Sequence, residues 1–335
     1  MPKSSKLSSH SGAPVLMKMR HLLVFVPCIL ILMGHPVCGA QSRSLDKELF
    51  QAVAKGDLGA VRVLLENGAS IDAHDDGRGT PLMVAVGSHN IAMVKLLLEK
   101  GANISVRDKY EETALTEAVR SFDSNMLRTL LEGNPDINDK NAALLQAAGD
   151  GPVVIQTVGA SLNPNGPRDH AATAPLEQPW VTNVRLLLDS GANLEARDEE
   201  GSTPLMRAAS YGQTETFKLL IERGAKISVR DKRGMTPLIA AACACAIATM
   251  NGTYDILKIL MEKGANVNAW DKDGRTALML AASSPDDPSS VELLLNNGAN
   301  PFVKDKRGYT ALTFALKGTR SEKAPLLRGA MAKAR

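Results

Sequence analysis

The sequence predicts an all-α solenoid of stacked helix–turn–helix units with hairpin tips, and three observations predict it. A Thr-Pro-Leu or Thr-Ala-Leu triplet recurs at Thr80, Thr113, Thr203, Thr236, Thr276 and Thr310. A Gly-Ala pair closes apolar runs at Gly68, Gly101, Gly159, Gly191, Gly224, Gly264, Gly298 and Gly329, with Asn134-Pro135 as a disguised copy. Aromatic residues make up 4% of the chain, which suits short helices packed through small side chains rather than strand-rich folds. Two markers in step over most of 335 residues make length a measure of repeat number, so one elongated domain is expected.

The stretch from Asp198 to Arg230 shows how one unit is built, and Asp231 begins the pattern again. Gly201 supplies the positive φ of a tight turn. Thr203 caps the first helix and Pro204 occupies its first position, where a missing N–H costs nothing. Leu205, Ala208 and Ala209 give that helix a narrow face of small residues, and Gly212 ends it. A second helix buries Phe217, Leu219, Leu220 and Ile221 and stops at Gly224, a left-handed cap. Two helices this short cannot bury such faces alone, so the units must stack.

The unit resembles the ankyrin repeat, a turn plus two helices with a Thr-Pro-Leu-His run at a period of about 33 residues. One departure stands out: the residue after the triplet is Met83, Thr116, Met206, Ile239, Met279 or Thr313, never His. In the family that His ties neighbouring hairpins by hydrogen bonds, so its loss points to a stack held more by apolar contact.

Along the chain, Lys18 and Arg20 precede an apolar run from Leu22 to Met33, and Cys38-Gly39-Ala40 supplies small residues where a signal peptidase cuts. A secretory leader over 1–40, cleaved before Gln41, is expected; an uncleaved membrane anchor, a lipid-modified Cys38 and a start at Met17 are the alternatives. Residues 41–335 form the repeat domain, with repeats at about 45–74, 75–107, 108–140, 198–230, 231–270, 271–304 and a C-terminal cap at 305–335. Leu49, Ala52 and Val53 mark the first helix of the opening repeat and Val61, Val63, Leu64 and Leu65 its second, with Lys47, Glu48 and Gln51 as a polar outer cap. Spacing loosens between 141 and 197, and two degenerate repeats, 141–165 and 166–197, fit it: a helix over Ala143–Ala148 behind a shortened hairpin, another from Pro152 to Val158, an irregular loop from Pro164 to Pro179, then a helix over Val184–Asp189. The repeat from Asp231 gains seven residues after Ala242, so its first helix should lengthen and close at Asn251-Gly252. The last repeat should end in a short helix starting near Pro325.

Charge lends no support to one class of function. The leader holds four cations and no acid, and without them 35 basic residues face 36 acidic ones, a balance near −1. The formal +3 is therefore no argument for nucleic acid. Cys243 and Cys245, two positions apart on a helix, point about 200° apart and favour neither a disulfide nor a metal pair. His74, His89 and His170 lack partners at metal-ligand or triad spacing, and the glycines lie at turns and helix ends rather than in a phosphate loop. No catalytic residue, cofactor or metal is expected. Asn103-Ile104-Ser105 and Asn251-Gly252-Thr253 fit the glycosylation pattern.

The resemblance implies a protein partner held by hairpin tips and the exposed side of the first helices, which together make a concave wall. Carried onto this sequence, the candidates are Tyr110, Arg120, Glu199, Glu200, Ser210, Tyr211, Lys232, Arg233, Trp270, Lys306, Arg307 and Tyr309. Tyr, Trp and Arg dominate interface energies, which puts Tyr110, Tyr211, Arg233, Arg307 and Tyr309 first. Trp270 stands where other repeats carry Arg107, Arg197, Arg230 or Lys304, either as an anchor for a partner or as packing between hairpins. A different class of function, a small-ligand or enzymatic site at 164–180 with His170, Glu177 and Trp180, and a membrane-anchored adaptor through the leader, are the competing readings.

Overall fold

The computed structural model describes residues 37–75, 77, 79–149, 178–244, 252–284, 288–317 and 322–334. Among these residues sixteen helices fall into eight pairs: α1 (Val37–Lys55) with α2 (Leu58–Glu66), α3 (Pro81–Gly87) with α4 (Ile91–Glu99), α5 (Ala114–Arg120) with α6 (Ser124–Glu132), and α7 (Ile137–Gly149) with α8 (Pro179–Asp189). The remainder are α9 (Pro204–Ser210) with α10 (Thr214–Glu222), α11 (Pro237–Ala244) with α12 (Gly252–Glu262), α13 (Ala277–Ser283) with α14 (Ser289–Asn296), and α15 (Ala311–Lys317) with α16 (Lys323–Lys333). Each first helix packs on the first helix of the next pair, and from α4 onward each second helix packs on the next second helix. The expected all-α solenoid is what forms, and the tips are turns with two isolated bridges, Asp75 with Gly79 and Trp270 with Thr276.

The triplet residues make the stack. Thr80, Thr113 and Thr203 cap their helices, each Oγ1 accepting the N–H three residues on. The triplet leucines Leu82, Leu115, Leu205, Leu238 and Leu278 are at most 1% exposed, and the alanine three residues after each is fully buried. A side chain that small lets neighbouring helices approach to van der Waals contact, where each buried Leu contributes about 1.5–3 kcal/mol. Leu312 is only half-buried, with no further helix pair among the described residues stacked on α15. Four of the six positions that lack the family's His are apolar and buried: Met83, Met206, Ile239 and Met279. Thr116 turns back on its own repeat, accepting the Thr113 N–H at 2.9 Å.

Left-handed residues end helices where the repeat requires it. Phe122, in a position usually held by Gly, has φ +54°, and Asn134 closes α6 region with φ +52°. On the far side of each pair a second ladder links repeats. The Asp72, Asn141, Glu195 and Asn268 side chains accept the Asn103, Asn193, Lys226 and Asn300 N–H groups at 2.7–3.0 Å.

Four expectations are corrected. Between 137 and 197 the described residues make one repeat instead of two: α7 packs on α5 and α9, α8 on α6 and α10, and the two pack on each other. Ala143–Ala148 is helical as expected, but α7 starts at Ile137, three residues after Asn134, which leaves no room for the hairpin. The expected helix from Pro152 to Val158, the pair Gly159-Ala160 and the loop from Pro164 lie outside the described residues, apart from Pro179, which opens α8. Val63 faces solvent at 55% exposure while Val61 is buried, since a nine-residue helix turns only part of an apolar run inward. Gly252 opens α12 instead of closing α11; a Cβ there would stand 2.2 Å from the Gly212 carbonyl oxygen, so only Gly permits this approach to α10. Finally α16 begins at Lys323, two residues before Pro325 and so near the expected start, but at eleven residues it is not the short helix expected. The Lys323 ammonium is buried and donates to the Ala281 and Ser284 carbonyls at 2.7 and 2.8 Å, where the end of α13 concentrates negative potential.

The turn carboxylates give a direct test. Asp231 is 8% exposed and its Oδ1 accepts the Arg233 and Met235 N–H groups at 2.9 and 2.8 Å. We predict that Asp231→Ala, which strands these donors, lowers unfolding free energy by about 1–3 kcal/mol, whereas Asp231→Asn, which keeps an acceptor, loses less. Equal losses in urea denaturation would contradict this role.

Candidate functional site

Every complete tip is built the same way. Asp108, Asp198, Asp231, Asp271 and Asp305 each accept two backbone N–H groups, two and four residues on, through one carboxylate oxygen. Each also donates its own N–H to the carbonyl four residues later. One oxygen of the acid that opens the tip is thereby taken by backbone, the other faces Arg207, Arg233 or Arg275 at Asp198, Asp231 and Asp271, and the two residues after the acid are exposed.

Consecutive tips are then joined. The Lys232, Lys272 and Lys306 N–H groups donate to the Glu200, Arg233 and Asp273 carbonyls at 2.8–2.9 Å. Arginines reinforce the row: Arg197 Nη1 donates to the Gly201 and Arg230 carbonyls, and Arg230 Nη1 to those of Gly234 and Trp270, at 2.6–2.9 Å. Arg107 instead joins its own tip at Glu111 to buried Asp139, which replaces the carbonyl of a missing tip. Gly234 has φ +79°, and a Cβ on it would meet the Lys272 N at 3.1 Å, so the glycine is needed both for the turn and for the next tip.

The candidate residues divide into groups that lie apart. Trp270, 59% exposed, lines a cleft of about 530 Å³ with Arg230, Lys272, Lys304 and Lys306. Lys306, Arg307 and Tyr309 line an adjoining cleft of about 440 Å³ with Asp273, Arg275, Phe314 and Lys317. Lys232 and Arg233 are exposed on the preceding tip, and Glu199 and Glu200 on the one before that. Tyr110, 70% exposed with Lys109 5.1 Å from its ring, belongs to a separate tip. Ser210 and Tyr211 sit at the far end of α9 from its tip, where Arg207 lies 5.7 Å from the Tyr211 ring. Arg120, at the same end of α5, is engaged by Glu112 and Glu117. The bond to Glu117, opposed by desolvation, raises its pKa.

Sequence reasoning missed Lys317, whose ammonium stands 3.7 Å from the Tyr309 ring. No spacing rule pairs a tip with the last turn of the following helix, so no signal was there to find. Trp180, placed in the ligand-site reading, packs edge-on against Phe122 at 6.3 Å and is half-buried; His170 and Glu177 lie outside the described residues. Cys243 is a free, half-buried thiol, and Cys245 lies outside the described residues. Among the described residues no group of three or more His, Cys, Asp or Glu is placed to hold a metal ion.

Two titrations report this geometry. Hydrogen bonding and charge from Lys317 hold the Tyr309 phenol below its ordinary value. We predict that Lys317→Ala raises the Tyr309 pKa in an ultraviolet absorbance titration; an unchanged midpoint would mean the ammonium does not engage the ring. For Asp123, burial works against the charge, but the Met126 N–H and the His89 ring outweigh it and lower its pKa. A lowered carboxylate pKa stabilises the fold above the ordinary value of 3.8 and is lost as pH falls through the folded value. Asp123→Ala should therefore cost about 1 kcal/mol near neutrality through loss of the α6 cap, and the difference from the parent chain should shrink in acid melts below about pH 4.

A family model described as ankyrin repeats in three copies matches residues 49–141, 178–247, 229–305 and 245–333. No curated protein matches the chain. The matched segments cover most of the chain, and between the first two they break where α7 and α8 are separated in sequence. With its turn, its two helices and its capping triplet repeated along the stack, the chain belongs to the ankyrin-repeat family.

Proposed function

We propose that this protein is a non-catalytic scaffold of the secreted or periplasmic compartment that holds a protein partner against its tip row. Ankyrin repeats are generally protein–protein interaction modules, and proteins made of them are typically non-catalytic. The observation that carries the reading is Trp270: a large aromatic left 59% exposed on a turn whose own carbonyl is fixed by Arg230. Exposing that ring to water is unfavourable, and a partner that covers it recovers the loss without ordering the backbone first. Lys272, Lys304 and Lys306 line the same cleft as hydrogen-bond donors, and Arg233 and Arg307 are exposed on the neighbouring tips.

The compartment rests on the leader, residues 1–36 of which lie outside the described residues. α1 runs through the expected cut after Ala40, and cleavage there leaves Leu49, Ala52 and Val53 in their buried places. No described helix is long and apolar enough to cross a membrane. N-terminal sequencing that finds a start at Gln41 supports cleavage; an intact leader in the membrane fraction supports the anchored adaptor.

Because Tyr211 lies a helix length from the tips, two variants separate the possible faces. Cross-linking capture with residues 41–335 is expected to yield a partner that is lost on changing Arg233 and Trp270 together to Ala and retained in Tyr211→Ala. Loss only in Tyr211→Ala would move the site to the helix ends, and capture unaffected by either would sink the tip-row assignment.

A further inference from the structure

The tip row is not uniform in charge, and its cations gather toward the last three tips. The tip at 198–202 presents Glu199 and Glu200 outward, while that at 108–112 is mixed, with Glu111 beside exposed Lys109 and with Glu112 and Glu117 paired to Arg120 at a cleft of about 270 Å³ beside Asp108. The last three tips present Lys232, Arg233, Lys272, Lys306 and Arg307, with Lys304 between them, all exposed. Their three opening acids, Asp231, Asp271 and Asp305, are at most 8% exposed and turn one oxygen to backbone N–H groups, with Arg233 and Arg275 facing the other oxygen of Asp231 and Asp271, so the outward-pointing charge of these tips is mainly cationic. Asp273 is exposed, but Arg275 holds it. The ammonium groups of Lys232, Lys272, Lys304 and Lys306 and the Arg307 guanidinium have no acidic partner among the described residues. Trp270 stands in the middle of this set.

We infer that the last three tips form a docking strip for a short acidic peptide segment of a partner protein, with Trp270 receiving an apolar side chain of that segment. This deepens the scaffold reading and rests on it. Stacked helices lie about 8–10 Å apart, so three tips span about 20 Å, the reach of roughly six extended residues. One carboxylate every third residue meets successive tips, and a neighbouring apolar residue meets the indole. A long polyanion is disfavoured, because Glu199 and Glu200 repel it one repeat further on and the chain without its leader is near neutral.

The test is fluorescence anisotropy of the full-length protein with a fluorescein-labelled Ser-based peptide of about eight residues carrying Glu at every third position and a Leu beside the central one. Oligothymidylate of equal length and phosphatidylserine vesicles serve as the other anionic probes. Saturable binding of the acidic peptide is expected, falling with salt, weakened about tenfold by Lys272→Glu with Lys306→Glu and by Trp270→Ala, and not weakened by Glu199→Lys, with melting temperatures unchanged. No saturable binding, equal binding by the charge-reversed variant, or tighter binding of oligothymidylate or vesicles would overturn the inference. If the peptide fails while partner capture still depends on Arg233 and Trp270, the acidic segment is wrong and the scaffold stands.

Discussion

The surface this protein offers depends on a carboxylate that is almost hidden. In each complete tip one Asp closes the turn by taking two backbone N–H groups, and that closure fixes which way the next residues point. Remove the acceptor and the donors are stranded in a place too crowded for water to serve them freely. The same bond explains why the tips differ so widely in outward chemistry: once Asp holds the frame, the following positions are released to be Glu-Glu, Lys-Arg or Lys-Asp. Constant frame and variable display are two consequences of one interaction.

Stacking turns these local frames into a row. The N–H of Lys232, Lys272 and Lys306 reaches back to the preceding tip, and Arg197 and Arg230 staple carbonyls across it. Apolar contact through the buried Leu and Ala files holds the helices, as the missing His suggested. The hairpins nevertheless keep their own polar links, so the tips are tied as well as packed. At Trp270 the Arg staple gives way to an indole, and the row exchanges one internal bond for an exposed apolar surface among its last three tips.

Much of this was legible in the sequence because the cause was local. A Thr cap, a Pro in the first turn, a Gly or Asn in the left-handed region and a run of Leu each act within a few residues, and Thr203, Pro204, Gly212 and Gly224 sit where expected. What depended on long-range pairing was not legible. Gly159-Ala160 resembled a repeat end, but periodicity says nothing of which helix a helix packs on, and α7 pairs with α8 across 150–177. Lys323 reads as a surface residue of a basic tail, yet it is buried on the α13 carbonyls some forty residues away. At the site, the outward residues could be named from their turn positions. The gathering of outward cations on the last three tips required knowing that Asp231, Asp271 and Asp305 are buried against backbone, and that Lys317 comes back over Tyr309.

Native-state hydrogen exchange at single-amide resolution tests most directly whether the tips form a fixed row. The Lys232, Lys272 and Lys306 N–H groups, each donated across to the preceding tip, should exchange far more slowly than that of Glu199, an exposed tip residue whose N–H has no such acceptor. Uniformly fast exchange at all four would contradict the account, because the tips would then be independent loops and the charges they carry would have no shared geometry to offer a partner.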